Sequence, residues 1–74
     1  MTAALPTSSP ATRLARAMAN TTAVDVAFRS GLSLGRVKRL AGGQSRMMVE
    51  DVEQLALVLG VSPCWLAFGV GGMR

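Results

Sequence analysis

The chain predicts an all-α domain of five short helices, on three observations. Serine or threonine stands ahead of each of four apolar stretches as an N-cap, twice followed by proline at the first helical position. Apolar residues within the stretches recur at helical spacing. Glycine closes most of them, because it accepts the left-handed conformation that ends a helix.

The stretch Thr22 to Gly43, TAVDVAFRSGLSLGRVKRLAGG, organises the rest. Thr22 caps a helix, with Asp25 three residues on as a weak capping box. Val24, Ala27 and Phe28 supply its apolar face, and Ser30-Gly31 stops it. Ser33 caps the next helix, from which Val37 and Leu40 face inward, and Gly42-Gly43 ends it. Arg36, Lys38 and Arg39 lie between those inward positions. A helix, a glycine-containing turn and a basic helix form a helix-turn-helix pattern, whose second helix can enter a major groove.

Ahead of that stretch, residues 1–8 have no period and are expected to form a flexible tail. Ser9-Pro10 starts a helix that runs to about Asn20, with Leu14, Ala17 and Met18 as its stripe and Arg13 and Arg16 on its flanks. After a loop, Val49, Val52, Leu55, Ala56 and Leu59 define one face of a fourth helix ended by Gly60. Glu50, Asp51 and Glu53 occupy its first turns, where acids suit the helix dipole. Ser62-Pro63 starts a short fifth helix, Cys64 to Phe68, and the glycines beyond it predict a loose tail over residues 70–74. The expected domain is therefore 9–69.

With 74 residues, the chain makes one domain with a modest core. Half the residues are hydrophobic, which excludes a disordered tail. Net charge is +4, and Arg29, Arg36, Lys38, Arg39 and Arg46 fall in a span without an acid. That is the footprint of a phosphate-binding face, against the plainer reading of a solvated basic surface. Cys64 is alone and histidine is absent, leaving almost no material for metal sites, cofactor ligation or histidine-based catalysis. No nucleophile–base pair or paired carboxylates suggest an enzyme. The uncharged run Leu55 to Met73 approaches the length of a membrane span, but Gly60, Ser62-Pro63 and the late glycines interrupt it. Neither a membrane segment nor a signal peptide is expected, so the expected location is cytoplasmic, beside the nucleoid.

In order and spacing, Val26-Ala27, Gly31-Leu32-Ser33, Val37, Arg39-Leu40, Gly43 and the final LGVSPCWLAFG (Leu59 to Gly69) resemble the Cro/C1-type (phage repressor, Xre-like) DNA-binding family. The resemblance covers about residues 12 to 69. It implies a five-helix lambda-repressor-like fold with the helix-turn-helix in helices 2 and 3. It also implies a homodimeric regulator on double-stranded DNA, with no cofactor, metal or small-molecule substrate. Leu34, Gly35, Lys38 and Arg39 fall at the positions that usually face base edges. Arg36 falls on the flank nearer the backbone. Thr22 falls where the family meets phosphate, and Arg46 in the loop across the groove; Ser33, from its place at a helix N-terminus, is a cap first and a phosphate contact second.

The chain departs from that family at Ala23, where glutamine is common, and at Ala41, where a glutamate often pairs with an arginine matching Arg16. Leu34 and Gly35 also replace the usual polar readers, leaving base reading to Lys38 and Arg39, whose natural target is guanine. Trp65, Leu66, Phe68 and Val70 exceed what a small core can bury and are expected at a dimer interface; alternatively, Trp65 and Leu66 complete the monomer core. The expected function is a Cro-like repressor acting by occlusion on a palindromic operator. A protein-interaction module on the same fold, an antitoxin or anti-regulator docking an acidic partner, is the alternative.

Overall fold

The computed structural model describes residues 9–74, so the expected tail over residues 1–8 lies outside the described residues. Five helices and no strands are found among the described residues: α1 (Pro10–Ala17), α2 (Ala23–Ser30), α3 (Leu34–Ala41), α4 (Val49–Leu59) and α5 (Pro63–Phe68). Four starts are set by local chemistry. Ser9, Thr22, Ser33 and Ser62 each accept the amide three residues on, satisfying a helix N–H that has no intrahelical partner. Gly31, Gly60 and Gly69 end α2, α4 and α5 with φ of 81°, 68° and 72°, in the left-handed region.

The core is made where the helices cross. α2 packs on α3 and α4, α1 on α3 and α5, and α4 on α5. Leu14, Val26, Val37, Leu40, Leu55 and Leu66 are completely enclosed, with Val52, Ala56, Val61 and Trp65 around them. Each large apolar side chain buried this way contributes about 1.5–3 kcal/mol. So few of them leave the domain dependent on its buried polar contacts as well.

Several expectations change here. α1 ends at Ala17 rather than near Asn20, and residues 18–21 form a turn closed by the Thr21 amide on the Met18 carbonyl. α2 buries Val26, Ala27 and Ser30, with Ala23 partly covered, so that Val24 and Phe28 point outward at 64% and 86% exposure. The small residues of the first arc allow close approach to α3 and α4. Val49, at the first position of α4, is exposed as well. The segment 70–74 is not wholly loose: the Ser62 amide donates to the Met73 carbonyl at 2.7 Å, and the Met73 side chain packs against the core.

Arg13, expected on a flank, is buried at 5% exposure. Its Nε donates to the Leu66 carbonyl at 3.0 Å and its Nη2 to the Ala67 carbonyl at 2.9 Å. The guanidinium thereby satisfies carbonyls at the C-terminal end of the six-residue α5, where the helix itself offers no donors. Arg16, one turn away from this contact, remains exposed.

Candidate nucleic-acid interface

The Gly31–Ser33 connection turns the chain from α2 into α3. Gly31 takes the left-handed turn; the Ser30 hydroxyl, buried, accepts the Leu32 amide at 3.3 Å. Ser33 then accepts the Arg36 amide at 3.1 Å, and the first turn of α3 is fixed. With Val37 and Leu40 in the core, the opposite arc of α3 carries Leu34, Gly35, Lys38 and Arg39, all exposed. These four stand one helical turn apart in two adjacent rows, so they share a face.

Within that face Gly35 and Arg39 are coupled. A Cβ at Gly35 would lie 3.3 Å from Arg39 Nη1, so the guanidinium lies back along α3 over the bare glycine backbone. Leu34, 38% exposed, presents an apolar surface on the same face. Thr22 and Ser33 are exposed with their hydroxyl oxygens engaged as caps. Arg46 is exposed in the loop between α3 and α4.

Arg36 differs from the others. Its Nη2 donates to Asp51 Oδ2 at 2.6 Å and to the Arg46 carbonyl at 3.4 Å, and its Nη1 to Ser45 Oγ at 3.1 Å. Asp51 is 5% exposed, and the same Oδ2 accepts the Met48 amide at 2.9 Å, which starts α4. Arg36, expected on the flank toward phosphate, thus has its guanidinium engaged in an internal ion pair, with 28% of the side chain exposed. The sequence offered part of this signal: Asp51 stands at the third position of α4, where an acid can reach back to the cap amide. Nothing in the sequence chose Arg36 over Arg39 as its partner.

Charge is sorted accordingly. Asp25 pairs with Arg29 at 3.4 Å and Asp51 with Arg36, which leaves Glu50 and Glu53, both exposed on α4, outside these two ion pairs. Lys38, Arg39 and Arg46 remain exposed on α3 and the loop after it.

On α5 and its exit, the predicted dimer interface divides in two. Trp65 and Leu66 are 7% and 0% exposed within the single chain, so they belong to the monomer core and not to a subunit contact. Phe68 and Val70, at 76% and 63%, are exposed. Phe68 edges an apolar groove between α4 and α5, with Val49, Val52, Pro63, Cys64 and Ala67 along it.

Among the described residues no group of three or more His, Cys, Asp or Glu could hold a metal ion. None of the described helices is long and apolar enough to cross a membrane. No family model matches the chain, and neither curated proteins nor solved structures yield a match.

Proposed function

We propose that this chain is a sequence-specific DNA-binding transcriptional regulator of the Cro/C1 type, with α2 and α3 as the helix-turn-helix of a lambda-repressor-like domain. The observation that carries the reading is the outward arc of α3. Lys38 and Arg39 stand there on a face that the core does not use, on a helix held at both ends by its own capping residues. In this reading α3 lies in the major groove, Lys38 and Arg39 donate to guanine O6 and N7, and Leu34 meets a thymine methyl. Thr22, Ser33 and Arg46 contact phosphates on either side. Two copies joined through Phe68, Val70 and the α4–α5 groove set two α3 helices about one DNA turn apart, roughly 34 Å, on a palindromic operator in the cytoplasm. Binding then represses by occluding polymerase. No catalytic step and no cofactor enters the mechanism.

The competing reading, a protein-interaction module such as an antitoxin, is favoured by one feature: the apolar side chains of Val24 and Phe28 lie exposed on α2. Selection from a random duplex pool separates the two. A DNA regulator enriches a near-palindromic motif with guanine in each half-site. An interaction module enriches nothing.

A further inference from the structure

We infer that Arg36 and Asp51 form a latch that positions the Arg46 loop for DNA, and that Arg36 is a positioning residue rather than a phosphate contact. The inference rests on the DNA-binding reading above. A single carboxylate oxygen, Asp51 Oδ2, receives both the Arg36 guanidinium from α3 and the Met48 amide from the start of α4. The other Arg36 contacts fall on Ser45 Oγ and the Arg46 carbonyl, in the loop that leads to that start. Three hydrogen bonds that fix the segment 45–48 therefore meet at the Arg36–Asp51 pair. Arg46, whose own side chain is exposed, is held by its backbone from beneath.

Chemistry explains why arginine is needed. The planar fork reaches three acceptors in different directions, whereas a lysine ammonium on a flexible stem acts as a point charge. A phosphate contact makes a weaker demand, since lysine also serves phosphate as a point charge. Asp51 sharpens the distinction. Removing an acid near a DNA-binding face ordinarily strengthens binding, but removing a latch weakens it.

The test uses fluorescence anisotropy with a labelled random-sequence duplex, titrated across salt, for the full chain and Arg36→Met, Arg36→Lys, Asp51→Asn, Arg46→Ala and Arg36→Met/Arg46→Ala. We expect Arg36→Met, Arg36→Lys and Asp51→Asn each to weaken binding roughly tenfold, about one charged hydrogen bond's worth. In the Arg46→Ala background, Arg36→Met should change neither affinity nor salt slope. Far-UV circular dichroism checks that each variant is folded; if Arg36→Met is not, Arg36→Lys replaces it in both backgrounds. Full rescue by lysine, tighter binding by Asp51→Asn, or a further drop in slope in the Arg46→Ala background would overturn the latch and leave the DNA reading standing. Failure of the wild-type chain to bind the duplex at low salt would overturn both.

Discussion

Replacing Arg13 by methionine should destabilise the domain more than removing any exposed charge. Methionine fills the space of the arginine stem but cannot donate. Two donated hydrogen bonds, at 3.0 and 2.9 Å to the Leu66 and Ala67 carbonyls, disappear, and both acceptors stay behind. Hydrogen bonds to a charged group contribute about 1.5–3 kcal/mol each. Because the two share one guanidinium they are not independent, so the expected loss is about 3–5 kcal/mol rather than their full sum. Relief of arginine desolvation works in the other direction. It does not win here, since the stranded carbonyls at the end of α5 have no intrahelical donors to turn to. For a domain of this size each kcal/mol moves Tm by about 4–8 °C, so Tm should fall by at least about 12 °C. Urea denaturation followed by Trp65 fluorescence and by circular dichroism reads the effect, Trp65 lying in α5 itself. A variant within about 0.5 kcal/mol of wild type, the scatter of ordinary surface changes, would refute the assignment.

Other substitutions separate backbone, interface and reading effects. Gly69→Ala places a Cβ 2.9 Å from Arg13 Nη1 on a backbone at φ 72°, and should cost about 1–2 kcal/mol from the backbone alone, with an additional loss that vanishes in the Arg13→Met background. Thermal melts of the four proteins in that cycle check it. Phe68→Asp should leave the helical signal and Tm nearly unchanged but shift the sedimentation profile to monomer; a wild-type chain that is monomeric at high micromolar concentration and binds DNA one to one removes the dimer. Lys38→Ala and Arg39→Ala should each relax base preference at a cost of about 1–3 kcal/mol at the preferred site, while Arg46→Ala weakens all sequences alike. Selection profiles indistinguishable from wild type for the two α3 variants would remove base reading from α3.

The caps and stops were legible in the sequence because their chemistry is local. Ser9, Thr22, Ser33 and Ser62 act on amides three residues away, and the glycine that ends a helix needs only its own backbone. The exposed arc of α3 was legible too, since Val37 and Leu40 fix which side is buried. Period alone could not choose the buried arc of α2. Val24, Ala27 and Phe28 satisfy helical spacing as well as Ala23, Val26, Ala27 and Ser30 do, and the second set wins because its small residues admit the neighbouring helices. The two structural arginines were hidden for a different reason. Arg13 finds its acceptors 53 and 54 residues away and Arg36 its carboxylate 15 away, and no local pattern distinguishes them from Arg16 or Arg39. Trp65 and Leu66 went to the core for the same reason: their partners come from other helices.

The salt dependence of duplex binding tests the central claim most directly. With Arg36 held by Asp51, three exposed cations per subunit remain at the proposed interface, Lys38, Arg39 and Arg46. A dimer that brings Lys38 and Arg39 to base edges and Arg46 to phosphate places about six positive charges in the counterion atmosphere of the duplex, which corresponds to a log–log slope near −5. Titration of the wild-type chain against duplex DNA from low to moderate salt should return a slope of that size. An affinity that does not change across the same range would contradict the account.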